Sequence, residues 1–260
     1  MSDGDIGSNV GVGRSGRIIG KILPAAVRLW LRSQAEQIDS LEISLTGRDR
    51  DLLSGYLPSV SLEAEQAIYQ GIHIGSLHLS AADIRINVGQ VVRGKPLRLL
   101  RAFPVQGEVA LTENDLNASL QSPLLAQGLT NFWRAIVQDP SVASDIKARY
   151  GALPMSADVQ VSNAQTRIKE NRLSLRFYPS SEALSAEQPI AFSTGLEARD
   201  GNCLQLIDPQ WIESLDTLDG GEPIDSLQYF QWNLGSDVDV ECLSVEKSQM
   251  VFKGQIMVNP

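Results

Sequence analysis

Residues 72–80 read IHIGSLHLS, and the phase of their apolar positions decides the architecture. Ile72 and Ile74 alternate with His73, as the pleat of a half-buried strand requires. Leu77 and Leu79 continue the alternation one step out of phase. A bulge at Gly75-Ser76 returns all four to one face and gives one long strand with a single apolar side. The flanking segments share the period of two. Upstream, Leu41, Ile43 and Leu45 alternate with Glu42, Ser44 and Thr46, and Val60, Leu62, Ala64 and Ile68 follow a turn at Leu57-Pro58. Downstream come Ile84, Ile86 and Val88, then Val105, Val109 and Leu111 with Gly107 between them. One-sided strands at hairpin spacing predict an antiparallel sheet.

The pattern returns near the C-terminus. Val159 and Val161 precede QTRIK and RLSLRF, a hairpin turning at Glu170-Asn171. Further runs are Ile190/Phe192/Leu196, Leu204/Leu206, Val238/Val240 and Phe252/Ile256/Val258. Residues 208–225 read as an acidic connection with weak helical character.

Three helices are expected. Residues 22–38 carry Leu23, Val27, Trp30, Leu31 and Ile38 near one stripe, with Pro24 suited to a first turn. Two readings stand for it: a helix packed on the sheet, or an interfacial helix touching lipid through Trp30, Arg28 and Arg32. In the middle, Thr112 and Asp115 have capping-box spacing, and Ser122-Pro123 starts a helix with Leu125, Leu129, Phe132 and Ile136 on one stripe. Asp139-Pro140 stops it, and a short third helix holds Val142, Ile146 and Tyr150. No β-α-β rhythm and no fixed-period repeat occur, so a doubly wound nucleotide fold is excluded. The class is α+β, with helices on one face of a large antiparallel sheet. Residues 1–17 read as an unstructured tail and 18–260 as a single domain.

The 260 residues carry 22 Lys+Arg against 31 Asp+Glu, a net charge of −9. The charge is uneven. Residues 111–260 hold all of the excess, with 10 Lys+Arg against 20 Asp+Glu, and residues 180–246 contain a single basic residue, Arg199. Nucleic acid is therefore an unsuitable partner, whereas an anionic surface would be met by the N-terminal half. No continuous apolar core of a secretory signal and no span of roughly 20 apolar residues is present. A cytoplasmic protein with at most transient contact at a membrane surface is expected, with Cys203 and Cys242 as buried thiols rather than a disulfide.

Catalytic signatures are sparse. His73 and His78 lie about 16 Å apart along a strand, too far for one metal ion. GVGRSG at 11–16 follows no strand and lacks the Lys-Ser/Thr ending of a phosphate loop. Asp237, Asp239 and Glu241 share a strand face that reads as solvated. No nucleophile elbow occurs. A non-enzymatic protein without metal or cofactor is expected.

Three stretches carry a family resemblance: SGYLPSVSLEAEQAIYQGIHI at 54–74, DIRINVGQVVRGKPLRLL at 83–100 and GEVALTENDLNASLQSPLLAQGL at 107–129. They resemble the LmeA-like phospholipid-binding family, long catalogued as a domain of unknown function and related to tubular lipid-binding domains. The resemblance implies a long, curved antiparallel sheet wrapped around an amphipathic helix, with an apolar groove for a phospholipid or other acyl lipid. It implies no catalytic residues. Candidate lipid-lining residues are Leu31, Ile84, Ile86, Leu116, Leu120, Leu129 and Phe132. Candidate membrane contacts are Trp30, Arg28 and Arg32, with Arg93, Lys95 and Arg98 in a basic cluster around Gly94 and Pro96. The competing reading is a lipid-free scaffold that binds a protein partner through its acidic region 180–246.

Overall fold

The computed structural model describes residues 11–260 apart from 155, 157, 170, 187, 217–220 and 247, with side chains described from residue 23 onward. The chain forms α1 (Gly11–Gln34), β1 (Gln37–Thr46), α2 (Asp49–Leu53), β2 (Tyr56–Tyr69), β3 (Ile72–Arg85), α3 (Val88–Val91) and β4 (Phe103–Thr112). Then come α4 (Glu113–Ser119), α5 (Pro123–Val137), α6 (Pro140–Tyr150), β5 (Gln160–Lys169), β6 (Arg172–Ser180), β7 (Ile190–Arg199) and β8 (Cys203–Trp211). The last strands are β9 (Glu222–Pro223), β10 (Gln231–Asn233), β11 (Val238–Glu246) and β12 (Gln249–Val258).

The strands divide between two antiparallel sheets, a split that alternation alone does not register. The first has the order β1-β2-β3-β4-β12-β11, so the C-terminal hairpin returns to extend the N-terminal meander. The second has the order β10-β8-β7-β6-β5, with β9 beside β8. The sheets are curled, with a half-barrel. The first sheet's apolar face takes α1: Leu23 and Val27 are buried there with Leu52, Leu57, Ile84, Ile86, Val88, Val91, Leu97 and Phe103. The second sheet carries α5 and α6, whose Trp133, Ile136, Val142 and Ile146 pack on Phe177, Ile190 and Phe192. Trp133 is fully buried, and its indole N–H donates to the Pro154 carbonyl at 3.0 Å, which satisfies its one polar atom.

The phase change in IHIGSLHLS is real. Ile74 and Leu77 pack in one cluster with Ala64 and Ala67 of β2. The expected bulge at Gly75-Ser76 does not form, because the register does not slip: Gln66, at φ 49°, lies opposite Gly75, and both strands change phase together. A Cβ on Gly75 would come within 2.8 Å of the Asp115 carboxylate, so the glycine also leaves room for α4.

The helix caps form as their sequences dictate. The Asp115 N–H donates to Thr112 Oγ1 at 3.2 Å, and the Thr112 N–H donates back to the Asp115 carboxylate at 2.8 Å. The Leu125 N–H donates to Ser122 Oγ at the start of α5. Asp139 both follows α5 and caps α6, accepting from the Ser141 N–H.

Further expectations change. Residues 11–17, read as tail, belong to α1; residues 1–10 lie outside the described residues. Once tertiary packing fixes the Leu23–Leu31 stretch, each further helical residue costs little, and the helix propagates toward the N-terminus. Pro24 consequently sits inside α1 rather than in a first turn, and the helix ends at Gln34, so that Ile38, read on its stripe, lies on β1 opposite Ala67. Residues 208–211, read as part of a helical connection, are strand β8. Asp208, at φ 47°, breaks the alternation there, opposite a register shift between Ser193 and Gly195.

Candidate functional site

The register of the first sheet lines up its apolar side chains in three rows that run across all six strands. One row is Leu45–Val60–Ala81–Val105–Ile256–Val238. The next is Ile43–Leu62–Leu79–Gly107–Gly254–Val240, and the third is Leu41–Ala64–Leu77–Val109–Phe252–Leu243. With strands about 4.8 Å apart, each row follows an arc of about 24 Å.

The middle row explains the curl. Gly107 and Gly254 are register partners on β4 and β12. A Cβ on Gly107 would lie 2.2 Å from the His78 carbonyl oxygen, and one on Gly254 would lie 2.1 Å from that of Asp239. Neighbouring strands approach so closely only where a sheet is sharply creased, and only glycine fits the crease. The register shift between Val240 and Cys242 of β11 extends the irregularity to the sheet's edge.

The cover over these rows is incomplete. From one side α1 lays Trp30 and Leu31 against Ile43, Leu45 and Val60. From the other, the second sheet packs on β11 and β12, where Ile168, Leu173 and Leu196 meet Val245, Met250, Leu243 and Phe252. Between these covers the floor stays partly open. Val105, Val109, Leu243, Phe252 and Val258 are half-buried, and Ile256 is 52% exposed. The opposite face of the same strands is polar. There Glu63, His78, Glu108 and Lys253 lie side by side, with a 2.8 Å ion pair from Lys253 to Glu108. Glu108 as acceptor and anion holds the Lys253 ammonium above its usual range.

A separate set of polar contacts joins the two sheets. The Asn117 side chain on α4 accepts from the Thr166 N–H at 2.9 Å and donates to the Thr166 carbonyl at 2.9 Å. Glu113 accepts from the Ile168 N–H at 2.8 Å. These side chains pair with the open edge of β5 as a neighbouring strand would, which blunts an otherwise exposed edge. Ser119 accepts from the His73 N–H at 2.8 Å, where β3 runs past the end of its pairing with β4.

The candidate residues from sequence sort into three places. Leu31 of α1 packs on the cluster that holds Ile84 and Ile86, the two isoleucines being core. Leu116 sits at the joint between the sheets. Leu120, Leu129 and Phe132 pack on the second sheet, where Phe132 meets Phe192, Phe230 and Trp232. The structure does not bring the seven together. The half-exposed side chains of the open floor were legible as strand positions, but nothing in the alternation marked them as uncovered. Of the candidate membrane contacts, Trp30 packs inward, whereas Arg28, Arg32, Arg93, Lys95 and Arg98 are exposed.

Other features stand apart from the open floor. A depression at the far end of β3 has a mixed lining, with Glu36, His73 and Gln121 beside Ala118, Pro123 and Leu124. Cys203 and Cys242 are free thiols as expected but not buried ones: Cys203 is half-buried and Cys242 exposed. Among the described residues no group of three His, Cys, Asp or Glu side chains is placed to hold a metal ion, and no helix is long and apolar enough to cross a membrane.

The family model described as LmeA-like phospholipid-binding matches residues 15–255. The chain belongs to the LmeA-like phospholipid-binding family. Membership extends over both sheets, so the family's domain includes the second sheet and its helices as well as the first sheet. Neither the curated proteins nor the solved structures contain a match to this chain.

Proposed function

We propose that the chain binds a phospholipid non-covalently, with an acyl chain laid on the open floor of the first sheet between α1 and the second sheet, and that it moves such lipids through water. The observation that carries this reading is the set of three in-register apolar rows left partly uncovered at β4 and β12. The dimensions agree. One leaflet's acyl chain is about 15 Å long, half of a 30 Å hydrocarbon core, and the half-exposed run from Phe252 to Val258 along β12, about 20 Å at about 3.4 Å per residue, accommodates it. The energetics agree too. A two-chain phospholipid has about 30 methylenes, and exposing them costs on the order of 20 kcal/mol at about 0.8 kcal/mol each. Apolar floor residues that are half-exposed without lipid lower that cost by covering the chain. Such binding needs shape and apolar surface rather than a titrating pair. The seven candidates named from sequence play a supporting part in this reading: Leu31 walls the floor and the others hold its frame.

Native mass spectrometry of the gently purified full chain tests this. The expected result is a mass increment matching one phospholipid, released by organic extraction. Chain free of lipid, and unable to take up a fluorescent phospholipid from vesicles, would refute it and favour the scaffold reading through residues 180–246.

A further inference from the structure

We propose that the tip formed by α3 and residues 92–101 docks the chain onto an anionic lipid bilayer. From Ile84 to Gly107 the sequence has five cations and no carboxylate. Arg85 is engaged, its guanidinium 4.2 Å from the centre of the Tyr56 ring. The other four, Arg93, Lys95, Arg98 and Arg101, are exposed and join none of the ion pairs found among the described residues. Val92 precedes this run, Leu100 lies within it, and they are 49% and 56% exposed. Neighbouring α2 adds no net charge, since Arg48 and Arg50 offset Asp49 and Asp51.

The tip is braced rather than loose. Asn87 accepts from the Arg98 N–H at 2.7 Å and donates to the Pro96 carbonyl at 3.0 Å. The Lys95 N–H donates to Gln90 and the Leu100 N–H to Arg85. Val91 and Leu97 are buried beneath, against the cluster that holds α1. The exposed pair is therefore held outward, and only an external apolar phase covers it. Two apolar side chains are too few for the roughly 1,200 Å² of a stable protein interface. Set among free cations, they suit a headgroup layer, where each cation strengthens partition about fivefold. This rests on the lipid-binding reading for its purpose, since a docked tip brings the α1 side of the open floor to the source of lipid.

Sedimentation of the full chain with vesicles tests it, using phosphatidylcholine alone or mixed with phosphatidylserine. The wild-type chain is expected to pellet with the mixed vesicles, to stay in solution with pure phosphatidylcholine, and to release as salt is raised. R93E/K95E is expected to lower partition by about 25-fold or more, counting only the two lost cations. V92S/L100S is expected to weaken it at every salt concentration. K147E, which reverses an exposed charge on α6, is expected to change nothing. Equal binding to both vesicles, no binding to either, wild-type partition for R93E/K95E, or an equal loss for K147E would overturn the proposal. Copurified lipid, measured on the same samples, separates the readings. Its absence with docking intact refutes the lipid floor, and lost docking with lipid present refutes the tip.

Discussion

Ile256→Asp separates an open lipid floor from an ordinary core. Ile256 lies on β12 between Val105 and Val238 and is 52% exposed, whereas Met250 on the same strand is 3% exposed. In the lipid-free chain an aspartate at 256 reaches water. The cost to folding is then chiefly lost strand propensity and the contacts of half a side chain, about 1 kcal/mol. With an acyl chain seated over the floor, the same carboxylate loses its hydration without a partner, a penalty of several kcal/mol. The variant should therefore unfold in urea within about 1 kcal/mol of wild type while its uptake of a fluorescent phospholipid falls at least tenfold. Met250→Asp, at a closed position of the same strand, should instead fail to fold stably. If Ile256→Asp takes up as much lipid as the wild-type chain, the acyl chain does not lie over β12. If it unfolds as severely as Met250→Asp, Ile256 is core and the floor is not open.

Further outcomes follow from particular contacts. Gly254→Ala places a methyl 2.1 Å from the Asp239 carbonyl and should destabilise the chain by about 2–3 kcal/mol, with lipid uptake falling as the crease relaxes; a neutral urea midpoint would show the crease is not enforced. Asn117→Ala deprives the Thr166 N–H and C=O of their partners and should cost about 2–4 kcal/mol by chemical denaturation, with Asn117→Asp recovering only the acceptor half. Trp133→Ala should cost about 3–5 kcal/mol, since the indole is wholly buried against Phe177. Asp139 is held below the ordinary carboxylate range, first by the Ser141 hydroxyl and then by the Ser141 N–H. Because the folded value is the lower one, its support for α6 is present above the ordinary range and lost as pH falls through the folded value. A carboxyl-detected NMR titration checks this, and Ser141→Ala should move the titration upward.

How much was legible in the sequence differs between elements. Alternation in IHIGSLHLS fixed a single apolar face, because a period of two has no other economical solution once one face is buried. Thr112/Asp115 and Ser122-Pro123 fixed helix starts, because a cap is satisfied within four residues of chain. The acidic region and the basic tip were likewise visible as local charge. The division into two sheets was not, since β12 finds β4 across more than a hundred residues by matching rows that no local window contains. The candidate lining residues show the same limit. Ile84 and Ile86 carry the same alternation as Val105 and Val109, yet α1 covers the first pair fully and the second pair only in part. Sequence determined which side chains are apolar and which way each strand turns them. Only the tertiary structure decided which of them are covered, because cover depends on where α1 and the second sheet come to rest, and that is set by contacts between elements distant in the chain.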